Sequence, residues 1–139
     1  MSDVTVLLVD NHHETLVALE AVLAPLPLRV ETAESGDQAL KAVLRGGIDL
    51  VILDVVMPGI TGLEVARYLH RLDQTRNIPV ILMTGMIGHA QIAEDAYDIG
   101  VADLLVKPIA PWLLRLKIAG HLRYLRRIQE LNATPNPAT

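Results

Sequence analysis

The segment Ile48–Pro58, I-D-L-V-I-L-D-V-V-M-P, sets a carboxylate, Asp54, directly after the apolar run Leu50-Val51-Ile52-Leu53. A run of that length and character predicts a strand buried on both faces. A charge at the end of such a strand is costly unless a cation or a reaction holds it there. In open α/β sheets the carboxyl ends of the strands are where ligands bind. Three further runs end on groups able to do chemistry: Val4–Val9 on Asp10-Asn11, Ile78–Thr84 on Thr84-Gly85, and Val101–Val106 on Lys107-Pro108. If these ends converge, two carboxylates repel by up to about 4 kcal/mol at roughly 4 Å and an effective dielectric near 20. A hard divalent cation such as Mg²⁺ relieves that repulsion through oxygen ligands. Lys107 and the Thr84 hydroxyl are then placed to meet a second anionic group. Carboxylate, divalent cation, lysine and hydroxyl together are what phosphoryl transfer onto an aspartate requires.

The elements that must position these groups follow from periodicity and breakers. After the first strand, Leu16, Leu19, Val22 and Leu23 recur at helical spacing over His12–Leu23, and Pro25 and Pro27 end that helix. Leu28–Ala33 reads as a second strand. Ser35-Gly36-Asp37 opens a helix with Ala39, Leu40, Val43 and Leu44 inward, stopped by Gly46-Gly47. Thr61 or Gly62 opens a third helix striped by Leu63, Val65, Ala66 and Leu69. Ile78–Thr84 forms the fourth strand, with Pro79 tolerated near its start, and a helix from about Ala90 to Ile99 ends at Gly100. Val101–Val106 is the fifth strand. The last helix runs from Pro111, a good first-turn residue, to about Leu131. Strict βα alternation predicts a parallel doubly wound sheet with right-handed crossovers.

With 139 residues the chain predicts one domain with a real core, and an apolar fraction of 51% suits a sheet covered on both faces. No run approaches the roughly 18–20 uncharged apolar residues of a membrane span. Met1-Ser2-Asp3 carries no basic or apolar leader pattern, and zero cysteines exclude disulfides and thiolate metal sites, so the cytoplasm is the plain expectation. A net charge of −4 gives no overall electrostatic reason to bind nucleic acid.

Four blocks in order, Val6–Asn11 (V-L-L-V-D-N), Asp49–Glu64 (D-L-V-I-L-D-V-V-M-P-G-I-T-G-L-E), Pro79–Gly85 (P-V-I-L-M-T-G) and Asp103–Pro108 (D-L-L-V-K-P), carry a resemblance. The chain resembles the receiver domain of two-component response regulators, from about Val4 through the final helix. The resemblance implies a flavodoxin-like (βα)₅ fold with strand order 2-1-3-4-5 and an extended C-terminal helix. It implies that Asp54 accepts a phosphoryl group from a phosphohistidine on a sensor histidine kinase or phosphotransfer protein. Asp10 and Asn11 then hold Mg²⁺ together with Asp54 and the Val56 carbonyl. Lys107 pairs with the phosphoryl oxygens, with a cis bond to Pro108, and Thr84 swings to hydrogen-bond the phosphoryl group.

The chain departs from the family pattern at several positions. Asn11 stands where a second carboxylate is usual, which implies weaker Mg²⁺ binding, since hard-cation affinity follows ligand charge. Leu104 and Ile109 stand where aromatic residues are common, and the chain has no Phe. Val56 and Met86 occupy positions that influence hydrolysis of the phospho-aspartate, and neither side chain can orient water, so a slowly hydrolysing phospho-form is expected. Asn11 and Leu104 also motivate a second reading, a degenerate receiver acting as a phosphorylation-independent interaction module. A flavin-binding domain of the same topology is disfavoured, because Asp10-Asn11-His12-His13 offers negative charge and no glycine where a phosphate loop belongs.

Simpler readings exist for single residues. Asp10 could cap the first helix. His12 and His13, adjacent in a first turn, read as solvent-facing rather than as a metal pair. The last helix holds five of the twelve Lys and Arg residues, but no aromatic interleaving marks it as a nucleic-acid arm. In that helix Ile118, Leu122 and Leu125 are expected on the sheet, leaving Tyr124, Ile128 and Leu131 as a surplus stripe that suggests a homodimer through the C-terminal helix. Residues 1–131 are thus expected to form the receiver and 132–139 a linker or tail, with an output domain beyond Thr139 as a further expectation.

Overall fold

In the computed structural model of the protein, which describes residues 4–85 and 89–133, five parallel strands lie in the order β2-β1-β3-β4-β5. The strands are β1 (Val4–Val9), β2 (Leu28–Ala33), β3 (Leu50–Asp54), β4 (Val80–Thr84) and β5 (Asp103–Val106). They alternate with α1 (His13–Leu23), α2 (Gly36–Arg45), α3 (Gly62–Arg71), α4 (His89–Ile99) and α5 (Pro111–Ala133). This is the flavodoxin-like (βα)₅ arrangement expected from the sequence. The central strands β1, β3 and β4 are buried along their whole length, whereas β2 alternates between partial and full exposure until its last residue, as an edge strand does.

The period of two in each strand splits the core into two layers. Leu7, Val9, Val51, Leu53 and Leu82 pack under α2, α3 and α4. Val6, Leu8, Leu50, Ile52, Ile81 and Met83 face the other way, onto Leu16 and Leu23 of α1 and Leu114, Ile118 and Leu122 of α5. Each fully buried Leu or Ile in these layers contributes about 1.5–3 kcal/mol by leaving water, which fixes strand register and hence what stands at each strand end. Ser35 caps α2 by accepting from the Gln38 N–H at 3.1 Å. Thr61 and Glu64 form a reciprocal capping box at the start of α3.

Two strands begin later than the sequence suggests. Pro79 has no N–H for the ladder, so β4 starts at Val80 even though the Pro79 carbonyl still accepts from Val51. Before β5, the Val101 N–H is taken by Ala96 at the end of α4, leaving Asp103 as the first residue of that strand. At the other end of the chain's elements, α5 continues through Ala133, two residues past the expected Leu131.

Among the described residues no helix is long and apolar enough to cross a membrane.

Candidate phosphoacceptor site

Strand register assembles the site. Val9 pairs with Leu53, so Asp10 and Asp54 follow on neighbouring strands, at the point where the chain's winding reverses between β1 and β3. Thr84 pairs with Val106, so Lys107 comes next to it, and the Lys107 N–H donates to the Thr84 carbonyl at 2.7 Å. The Lys107-Pro108 peptide bond is cis. Asp10 is fully buried, Asp54 is 5% exposed and Thr84 2% exposed, so the site is a polar pit in an otherwise apolar edge.

Lys107 joins the two acids. Its Nζ lies 3.3 Å from Oδ2 of Asp54 and 3.4 Å from Oδ2 of Asp10. A single ammonium therefore offsets part of the repulsion between two buried carboxylates. The other oxygen of Asp10 is held separately: Oδ1 accepts from the His12 N–H at 2.9 Å and lies 3.2 Å from His12 Nδ1. The Asp54 carboxyl is pushed above its ordinary value, foremost because burial disfavours its charged form. Lys107 opposes that shift, the Asp10 charge adds to it, and the Val56 N–H, hydrogen-bonded to the carboxylate, opposes it again.

Asn11 supplies the least expected feature. Its Oδ1 is the buried side-chain polar atom that no group satisfies among the described residues. A buried acceptor left without a partner costs about 1–3 kcal/mol, so a ligand that takes oxygen donors fits there. Asp10, Asp54, the Asn11 amide and the Val56 carbonyl would make an all-oxygen donor set, the kind a hard cation such as Mg²⁺ takes. Among the described residues no group of three or more His, Cys, Asp or Glu side chains could hold a metal. A cation here would therefore depend on the amide and on backbone oxygen as well as on two acids.

The sequence-expected residues Asp10, Asn11, Asp54, Thr84 and Lys107 thus stand at one sheet edge, and the Val56 side chain lies at its surface, 73% exposed. Met86, the other residue expected to influence hydrolysis, lies outside the described residues. Leu104 is half-buried against the α3 and α4 layer, and Ile109 packs against the α1 and α5 layer, so both fill space where an aromatic ring was absent from the sequence. The cap residue of α1 is His12, whose own side chain makes no capping bond, and Asp10 holds the His12 N–H ahead of the helix instead of capping its first turn. His12 is solvent-facing as expected, but it also touches Asp10, a contact invisible to helical periodicity because His12 precedes the helix.

Sequence reasoning missed Gly62. A Cβ there would run into the Asp54 carbonyl oxygen and come within 2.8 Å of the Val55 Cα. The first residue of α3 thus lies directly on the backbone of Asp54, and the Gly62 N–H donates to the Val55 carbonyl at 3.0 Å. The signal was present as the T-G pair opening that helix, read only as a helix start.

The family model described as response regulator receiver domain matches residues 6–119. Over 120 residues the chain is 38% identical to the cyclic di-GMP phosphodiesterase response regulator RpfG of Xanthomonas campestris pv. campestris (strain 8004), covering 85% of this chain and 32% of that protein. It is 35% identical over 119 residues to the transcriptional regulatory protein AfsQ1 of Streptomyces coelicolor, covering 86% of this chain and 51% of that one. The chain therefore spans between a third and a half of these relatives. Among solved structures, the signal receiver domain of a Luxo repressor protein from Vibrio parahaemolyticus superposes with a TM-score of 0.86 at 25% identity, covering 96% of this chain and all of that one.

Proposed function

The chain belongs to the response regulator receiver family, and from that premise we propose that Asp54 accepts a phosphoryl group in a Mg²⁺-dependent reaction and thereby switches the domain's interaction surface. The donor is the phosphohistidine of a sensor histidine kinase or a phosphotransfer protein. The observation that carries this reading is the placement of one ammonium, Lys107, within 3.4 Å of both buried carboxylates, and the residue after Asp10, Asn11, adds a buried, unsatisfied oxygen.

An Asp54 carboxylate oxygen attacks phosphorus in line with the departing imidazole nitrogen. The O–P bond forms as the N–P bond breaks, and its electron pair stays with the imidazole. Attack needs the ionised carboxylate, which Lys107 and the Val56 N–H favour against burial. Bound at Asp10, Asn11, Asp54 and the Val56 carbonyl, Mg²⁺ would neutralise charge on the transferred group. Lys107 turns from Asp54 to a phosphoryl oxygen once the carboxylate is esterified, and the Thr84 hydroxyl donates to another. Asp10 stays fixed throughout, tethered by the His12 backbone N–H. Catalysis by the domain amounts to positioning and charge compensation.

In this reading residues 1–131 form the receiver and 132–139 a linker, the domain works in the cytoplasm, and it delivers its signal to an output domain or partner. Incubation with Mg²⁺ and acetyl phosphate, followed by intact mass, tests it. The expected product is one added phosphoryl group, absent in Asp54→Asn and in excess chelator. A chain that stays unmodified under conditions saturating in both reagents would instead be a phosphorylation-independent interaction module.

A further inference from the structure

At the amino ends of β4 and β5 the sheet stops short of the helices around it. Pro79 has no N–H for the ladder, so β4 begins only at Val80, and Asp103 is the first residue of β5. In one layer α3 ends at Arg71 and α4 at Ile99, while α5 runs on in the other. The space left between them is a cavity of about 500 Å³, within the roughly 300–1,000 Å³ of small-molecule sites.

Leu69, Ile78, Val101 and Leu125 give this cavity an apolar wall, and His70 and Arg76 also line it. The backbone around it already pairs with itself. The N–H groups of Ile78, Gly100 and Ala102 donate to the carbonyls of Thr75, Ala96 and Val80 at 3.0, 3.0 and 2.8 Å. The Thr75 hydroxyl is spent in the same way, on the Leu69 carbonyl. Recognition of a guest therefore falls to side chains.

Charge gives the guest its sign. The chain carries 16 Asp and Glu against 12 Lys and Arg, yet among the described residues no Asp or Glu lines this cavity. The Arg76 guanidinium pairs with Asp73, which is 89% exposed and lies outside the lining. An exposed pair of this kind contributes about 0–1 kcal/mol, so the guanidinium can turn to a better-shielded anion at little cost. A neighbouring hollow of about 230 Å³ shares His70 and Ile99 with the cavity, and adds Arg67 and Arg71 against one acid, Asp98. An apolar interior with a cationic rim suits a molecule of the opposite design, an apolar body ending in an anionic head. One guanidinium in the lining matches a singly charged, planar head, which it can meet through two parallel hydrogen bonds.

We infer that this cavity binds an apolar carboxylate, with its body against Leu69, Ile78, Val101 and Leu125 and its carboxylate on Arg76. The cavity lies at the amino ends of the strands, across the sheet from Asp54, so the inference does not rest on the function proposed above.

Isothermal titration and amide NMR on the full chain test this, with decanoate, 1-decanol and decylamine as probes. Decanoate is expected to bind and to shift the amides of Ile78, Val101 and Leu125. Decanol should bind more weakly by about tenfold or more, and decylamine more weakly still. Arg76→Ala, at an exposed position, should weaken decanoate by about tenfold and leave decanol binding and the thermal midpoint as they are. Val101→Phe should fill the cavity and abolish binding of both, whereas Asp54→Asn should leave both unchanged. No decanoate binding up to about 1 mM would overturn the inference. Decanol binding as tightly as decanoate, or an Arg76→Ala chain that holds decanoate as the parent does, would overturn it equally. A folded Val101→Phe chain that still binds decanoate would do the same, and if that variant does not fold, Arg76→Ala decides alone.

Discussion

The ammonium of Lys107 lies 3.3 Å from Oδ2 of Asp54, reached from the loop after β5 across the whole of β4 to the end of β3. The same nitrogen reaches Asp10 on the next strand over. One flexible cation thus spans four strand ends, and several measurable consequences follow from removing it or the charges it serves.

Removing the cation should cost stability and sharpen the response to metal. Lys107→Met leaves Asp10 and Asp54 facing each other in a buried pit. The loss should be about 1–3 kcal/mol, below the usual range for breaking a buried pair because Lys107 is itself about one-third exposed. Added Mg²⁺ should recover more of the thermal midpoint in Lys107→Met than in the parent, and calorimetry with and without chelator measures both.

Removing the acceptor charge should do the opposite. The Asp54 carboxyl is raised above its ordinary 3.8, first by burial, with Lys107 opposing. A group raised in the folded state contributes most stability below its unfolded value and loses that contribution as pH climbs through the folded value. Asp54→Asn should therefore melt higher than the parent at pH 7 without metal, with the gap shrinking as pH falls through the raised folded value and closed by about pH 4. Thermal melts across that range check the sign.

In the proposed site Asn11 should set the affinity for Mg²⁺. Asn11→Asp adds a formal charge to the donor set and should tighten Mg²⁺ by about tenfold, whereas Asn11→Ala removes the unsatisfied oxygen and should weaken it. Isothermal titration with Mg²⁺ reads both. Equal affinities in all three proteins would place the cation elsewhere.

The first residue of α3 should tolerate nothing larger than glycine. Gly62→Ala drives a methyl into the Asp54 carbonyl and the Val55 backbone, and overpacking of this kind costs about 1–3 kcal/mol. Because the displaced backbone is that of Asp54, the proposed acceptor, phosphorylation should fall further than stability explains, which a comparison of labelling rate with unfolding midpoint separates.

Val56 should set the lifetime of the phospho-form. Its apolar side chain is 73% exposed at the site's mouth and cannot orient water. The parent should therefore hold its phosphoryl group for minutes or longer, and Val56→Asn should shorten that lifetime by about tenfold, read by intact mass over time. Dephosphorylation of the parent within seconds in Mg²⁺ would contradict this.

How much of this was legible depends on range. Buried parallel strands announce themselves as continuous apolar runs, so the ends of β1, β3, β4 and β5, and the polar residues on them, could be read from the chain. The strand order needed the resemblance, since periodicity does not say which strands are neighbours. Contacts between side chains distant in sequence were out of reach: Lys107 with Asp10, 97 residues apart, follows from register rather than from either residue's surroundings. Gly62 illustrates a different limit, because a glycine required by a close approach looks the same as one that begins a helix. The exposed apolar residues Tyr124, Ile128 and Leu131 of α5 were visible in the sequence as a surplus stripe.

The most direct measurement locates the phosphoryl group itself. After acetyl phosphate and Mg²⁺, borohydride reduces an aspartyl phosphate to homoserine, and peptide mass mapping finds the changed residue. The expected result is homoserine at position 54 alone, lost when Mg²⁺ is chelated. Reduction at another acid, or none at Asp54 in a chain that has gained a phosphoryl group, would contradict the assignment of Asp54 as acceptor.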